Sequence, residues 1–168
     1  MLDVWVESMA VATRRSTVET KSIQFTLRNS ERHPFQQKIR TIKTKRLIIK
    51  AGRRGAKTVG LATRGVEKFL GLEWGLTPEG KAYLFVGNKP KRVIYFAPTG
   101  EQTDAYWFEV KRALMPGCQI GIYKMNETQR YIEVPGTQQR IRAVTAWNPD
   151  AARGDFGDEI QFDEYQLQ

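Results

Sequence analysis

The stretch that decides the fold is Arg46-Leu47-Ile48-Ile49-Lys50-Ala51-Gly52-Arg53-Arg54-Gly55-Ala56-Lys57-Thr58-Val59-Gly60, RLIIKAGRRGAKTVG. Arg46 to Lys50 form a short β-branched run stopped by Gly52, the pattern of a buried strand entering a turn. Beyond the turn Val59, Ala62, Val66 and Leu70 recur at steps of three and four, which predicts an amphipathic helix. A loop that holds phosphate needs inward-turned N–H groups, a helix N-terminus behind it, a Lys for the outer phosphates and a Ser/Thr hydroxyl for Mg²⁺. Gly52, Arg53, Arg54, Gly55, Ala56, Lys57 and Thr58 supply all four. The strict pattern G-x-x-x-x-G-K-[ST] is not met, because Ala51 and Ala56 stand at its glycine positions and Gly52 and Gly55 are each displaced by one. A basic strand-to-helix turn with a solvated Lys57 fits the same residues.

Downstream, GDEIQFDE (157–164) reads as a strand that ends on Asp163 and Glu164, about 105 residues after the loop. Nucleotide hydrolysis needs one carboxylate for the Mg²⁺ shell and a second to polarise the attacking water, both at the C-terminal edge of the sheet beside the phosphate loop. An acidic pair at a strand end is commonly just solvated; paired with the loop, in this order, it gains weight. Between the two lie a strand over Arg92–Ala97 (RVIYFA), a helix from Gln102 to Leu114 and a short strand GIYK (121–124). A hairpin of RYIEV (130–134) and RIRAVTA (140–146) follows. Residues 71–91 read as a loop with a small β excursion, AYLFVG (82–87). Upstream, Phe35, Ile39 and Ile42 predict a helix over about 31–43, and residues 1–29 form an arm with one alternating stretch, Ser22 to Thr26. Strand, helix, strand, helix, strand predicts a mainly parallel α/β sheet flanked by helices, with an antiparallel hairpin added. The organisation expected is an N-terminal arm (1–29) and one domain (30–168).

Composition narrows the function classes. With 168 residues there is room for one domain, and 40% hydrophobic content suffices for a core. The net charge is +9, and residues 1–66 carry 15 Lys/Arg against four Asp/Glu, so the basic excess sits in the N-terminal part. A surface of that sign suits phosphate backbones and nucleotides. One cysteine, Cys118, excludes an internal disulfide, and one histidine, His33, excludes a two-His zinc site. No segment reaches the length of an apolar membrane span and no signal peptide is seen, so a soluble cytoplasmic protein is expected. A helicase-like ATPase and a non-enzymatic, basic nucleic-acid-binding module are the rival readings.

Four segments, in order, resemble the N-terminal ATPase region of tailed-phage terminase large subunits, the DNA-packaging motors. His33-Pro34-Phe35-Gln36 resembles the adenine-contacting segment, and AGRRGAKT (51–58) the Arg-bearing Walker A loop. Tyr95-Phe96-Ala97-Pro98-Thr99, with Gln102 and Trp107, is similar to the strand-Ala-Pro-Thr segment. Arg153-Gly154, Asp158 and Phe162-Asp163-Glu164 resemble the approach to Walker B and Walker B itself. Ala51 and Gln161 depart from the pattern. The resemblance implies a P-loop NTPase fold that ends just after Walker B and is C-terminally incomplete, with ATP and Mg²⁺ as cofactors. It implies that Lys57 binds the outer phosphates, Thr58 and Asp163 hold Mg²⁺, Glu164 orients the water, Arg53 or Arg54 stabilises charge and Gln36 reads the adenine. It further implies double-stranded DNA as partner, the terminase small subunit and portal beside it, and a homo-oligomeric ring in the full-length protein. Because Asp163 and Glu164 lie so near the last residue, slow turnover, aggregation and little response to DNA are expected of this chain.

Overall fold

The computed structural model describes residues 4–6, 23–25, 34–44, 46–49, 57–80, 82–87, 89–147 and 154–163. The fold is organised around β5 (Val93–Ala97), where Val93, Tyr95 and Ala97 have no solvent exposure. Two strands flank it in parallel, β8 (Arg140–Thr145) and β9 (Glu159–Phe162), with Tyr95 opposite Ala143 on one side and Gln161 on the other. Beyond β8 the antiparallel strands β7 (Tyr131–Glu133) and β6 (Lys124–Asn126) complete the order β6-β7-β8-β5-β9.

The chain is therefore mixed α/β, with a five-stranded mixed sheet rather than the mainly parallel one expected. The reason is connection length. β6, β7 and β8 follow one another through short turns, which permit only antiparallel pairing, whereas β5 reaches its parallel neighbour β8 after a helical crossover. The hairpin predicted over 130–146 is β7–β8.

Two helices cover one face of the sheet. α2 (Lys57–Phe69) and α3 (Gly100–Gln119) place Val66, Phe69, Tyr106, Val110 and Leu114 against Val93, Tyr95 and Ile141 in a single buried core. Thr99 starts α3 with a capping box: its side chain accepts from the Gln102 N–H while the Gln102 side chain accepts from the Thr99 N–H. The helix runs past the expected end at Leu114 to Gln119, with Pro116 inside its last turns. Gly121, at φ +79°, then turns the chain, and the Ile122 and Tyr123 N–H groups donate to Gly117 O. Residues 121–123 thus belong to the helix end, and the strand expected at 121–124 begins only at Lys124.

On the opposite face Ile94 and Val144 are buried, and Phe96 stacks on Phe162 at 5.2 Å; Ile160 and Phe162 are more than half exposed. The segment before β9 is tied to β5 and β8: Asp155 pairs with Arg92 and with Arg142 (3.1 Å), and Asp158 accepts from the Arg92 N–H at 2.8 Å.

α1 (Pro34–Thr41) packs on α2, where Gly60 permits a close approach: a Cβ there would lie 3.4 Å from Ile39 Cδ1. Arg40 of α1 forms an ion pair with Glu67 of α2, both buried, and Trp74 donates its indole N–H to the second Glu67 oxygen at 3.2 Å. Burial pushes the Glu67 carboxyl up, and the Arg40 charge pulls it back. Trp74 lies on β3 (Leu72–Leu76), which pairs antiparallel with β4 (Ala82–Val86), a hairpin of two five-residue strands where only a small excursion at 82–87 was expected. Within the expected arm, β1 (Val4–Val6) pairs antiparallel with β2 (Ile23–Phe25).

The strand predicted over 46–50 is not formed in its described part, 46–49. Ile48 is 89% exposed and Leu47 is exposed as well. β-branched composition supplies propensity, but a strand exists only where a neighbour completes its ladder, and among the described residues none does so here. No helix among the described residues is long and apolar enough to cross a membrane.

Candidate functional site

The C-terminal ends of β5, β8 and β9 lie at one edge of the sheet, because the three strands are parallel. The ladder continues one residue beyond each outer strand. The Asp163 N–H donates to Phe96 O at 2.9 Å, and the Ala146 N–H to Ala97 O at 2.8 Å. Asp163 is thereby fixed by its own backbone at this edge, with its side chain on the helix-covered face, the same side as Gln161 and Glu159.

α2 begins beside it. The Thr58 hydroxyl, in the first turn of α2, donates to Asp163 Oδ2 at 2.9 Å across a separation of 105 residues. The Tyr95 hydroxyl donates to the same oxygen, also at 2.9 Å. Asp163 is only 7% exposed, so its carboxylate depends on these donors in place of water. Tyr95 is held on its other face by Tyr106, the rings stacked at 3.7 Å and 8°. Burial first, then the Asp163 charge and hydrogen bond, push the Tyr95 hydroxyl above the usual phenol range, so it remains a donor. Behind this group Thr103 bonds to Thr99 O at 2.9 Å and faces the Thr145 hydroxyl at 3.4 Å, joining the start of α3 to the end of β8.

The middle of α2 is fastened to the start of β9. Arg64 donates to Glu159 at 2.9 and 3.3 Å and to the carbonyls of Ile39 and Ile42 at 2.9 Å each. Gln161 donates to Glu159 at 2.8 Å. All three helix-facing side chains at the end of the sheet, Glu159, Gln161 and Asp163, are therefore polar, and two of them bind α2 directly. This accounts for Gln161 in a strand whose pattern would otherwise be apolar: it extends the Arg64–Glu159 pair beneath the helix.

Of the residues singled out from the sequence, Thr58 and Asp163 meet at this edge, and Lys57 precedes Thr58 at the start of α2. Gln36 is buried at the α1–α2 crossing, its Cγ 3.6 Å from a Cβ placed on Gly60, one short step along α2 from Thr58. Gly52, Arg53, Arg54, Gly55, Ala56 and Glu164 lie outside the described residues, as do His33 and Arg153. Trp107 is buried, and its indole N–H donates to Glu127 at 2.8 Å. Lys43, Thr44 and Arg46 are exposed. No site role was anticipated for Tyr95, Arg64 or Glu159. The signal for Tyr95 was a polar atom inside an otherwise apolar strand; nothing local marks Arg64 and Glu159, which are 95 residues apart.

Among the described residues no three His, Cys, Asp or Glu side chains gather into a metal cage. The Thr58 hydroxyl and the Asp163 carboxylate are hard oxygen donors, the kind Mg²⁺ takes alongside substrate phosphates. The two residues fit that ion. Compared with known protein families, with curated proteins and with solved structures, the chain matches none of them.

Proposed function

We propose that the chain is a P-loop ATPase domain of the terminase large subunit type, one that couples ATP hydrolysis to translocation of double-stranded DNA. The observation that carries the reading is the Thr58–Asp163 hydrogen bond. It joins the first turn of α2, the helix that follows the glycine- and arginine-bearing stretch 52–56 in the sequence, to the acidic end of a parallel strand, at the sheet edge where α/β proteins bind nucleotides. The four sequence segments that resemble the family support it by their order.

In this reading Lys57 contacts the outer phosphates, Thr58 and Asp163 hold Mg²⁺, and Glu164 orients the attacking water. Arg53 or Arg54 stabilises charge on the transferred group, and Gln36 contacts the adenine. Bound Mg²⁺ supplies neutralisation of the phosphate oxygens. The protein supplies position: Asp163 is set by the β5 ladder, by Thr58 and by Tyr95, and Thr58 by the start of α2. Such fixed geometry is what phosphoryl transfer requires, since catalysis there is positioning and electrostatics. The basic N-terminal part provides contacts to DNA phosphates, which are sequence-independent and salt-sensitive. The terminase small subunit, the portal and sister copies in a ring are its partners in this reading.

The test is phosphate release from ATP by the purified chain, with and without duplex DNA. A slow activity lost in Asp163→Asn is expected. An activity untouched by that substitution would contradict the assignment, and salt-sensitive DNA binding with no nucleotide affinity would favour a non-enzymatic nucleic-acid-binding module.

A further inference from the structure

We infer that Tyr95 is a positioning residue for the metal-binding carboxylate, its hydroxyl holding Asp163 in the orientation that receives Mg²⁺ with the nucleotide. The inference rests on the ATPase reading above and adds to it a residue that neither the loop nor the acidic strand end contains.

Tyr95 occupies the middle of β5 with no exposure, between the apolar Val93 and Ala97 on the same face. A phenol in that place is costly unless its hydroxyl is bonded, and the bond goes to Asp163 Oδ2. Its ring cannot turn aside, because Tyr106, also fully buried, is stacked on it at 3.7 Å. Thr58 and Tyr95 share Oδ2, while no described residue donates to Oδ1. The two donors differ in what they can do next. The Thr58 hydroxyl sits at a helix start and is itself a candidate metal ligand, so it is free to exchange its bond to Asp163 for one to Mg²⁺. Tyr95 is clamped, so its bond persists when Thr58 is drawn away. With Oδ2 pinned, the carboxylate keeps its rotamer and presents its remaining lone pairs to the incoming ion. Groups that orient a ligand in this manner change metal affinity by about 10- to 100-fold when removed.

The experiment follows a fluorescent, non-hydrolysable ATP analogue bound to the full chain as Mg²⁺ is titrated, and separately in excess EDTA. Tyr95→Phe keeps the ring and its stack and deletes one oxygen. It is expected to raise the Mg²⁺ concentration for half-maximal binding by about tenfold or more, while affinity in EDTA stays within about twofold. In the Asp163→Asn background the same change is expected to add no further loss, since Tyr95 acts through that carboxylate. An unaltered Mg²⁺ requirement in Tyr95→Phe, or an equal loss with Asp163 already replaced, overturns the inference. If Tyr95→Phe does not fold, Tyr106→Leu takes its place: it frees the Tyr95 ring and is expected to raise the Mg²⁺ requirement, and an unchanged requirement counts against the clamp. The ATPase reading fails separately, by absence of analogue binding in the parent chain or by full binding in Lys57→Ala.

Discussion

Gly65 and Tyr106 link helix packing to the site, and their substitution gives a test with a definite sign. Gly65 lies in the interior of α2, where alanine is ordinarily favoured over glycine by about 1 kcal/mol. Here a Cβ would collide with the Tyr106 hydroxyl, while its next neighbours, Ile141 Cδ1 at 3.3 Å and Val93 Cγ1 at 3.5 Å, are tolerable. No ring carbon of Tyr106 comes nearer than those two atoms, so the hydroxyl alone causes the clash. Tyr106 cannot yield cheaply, since it is fully buried and stacked on Tyr95. Overpacking of this kind costs about 1–3 kcal/mol, so Gly65→Ala is expected to lose about 1 kcal/mol net of the helix gain. Tyr106→Phe removes a buried hydroxyl that has no hydrogen-bond partner among the described residues, and is expected to be neutral or stabilising. In that background Gly65→Ala should gain about 1 kcal/mol, a coupling of about 2 kcal/mol between the two sites. Urea unfolding of the parent, both single variants and the double variant measures all four corners of the cycle. Equal losses from Gly65→Ala in the two backgrounds would refute the packing described.

Other substitutions probe separate joints. Arg64→Met leaves Glu159 with the Gln161 amide alone and removes the donor to the Ile39 and Ile42 carbonyls, and since the side chains of the ion pair are 11% and 14% exposed, a loss of about 3 kcal/mol in unfolding free energy is expected by urea titration. Thr99→Ala removes the capping box of α3 and should cost about 1 kcal/mol by the same assay. Glu127 is held below the ordinary glutamate range first by the Trp107 N–H bond, so its contribution to stability is present above the unfolded-state carboxyl pKa and fades as pH falls through the lowered one. The stability gap between parent and Glu127→Gln should therefore narrow on acidification, and a gap that widens would contradict the sign.

The parts of the fold legible in the sequence are those where local pattern and tertiary demand coincide. α2, β5 and the β7–β8 hairpin were all visible because their apolar periodicity is also their burial. Thr58 and Asp163 were expected at one site from the residue types a phosphate loop uses, and their side chains meet. RLIIK misled because propensity was read without a partner strand, and Ile48 ended up in solvent. β3 was missed because Gly71 and Gly75 bracket and interrupt the alternation of Leu72, Trp74 and Leu76, and glycine reads as a turn. The Arg64–Glu159 and Arg40–Glu67 pairs leave no local trace, since each joins residues distant in sequence. Tyr95 was read as the start of the strand-Ala-Pro-Thr segment, with no role for its hydroxyl; only the pairing of β9 beside β5 shows what that hydroxyl meets.

The central claim is that nucleotide phosphates bind at the start of α2. Calorimetric titration of the chain with a non-hydrolysable ATP analogue and Mg²⁺, for the parent and for Lys57→Ala, tests it most directly. Losing the lysine removes charge-assisted phosphate contacts, each worth about 1.5–3 kcal/mol, so affinity is expected to fall at least about tenfold. Equal affinity in the two proteins would contradict the claim.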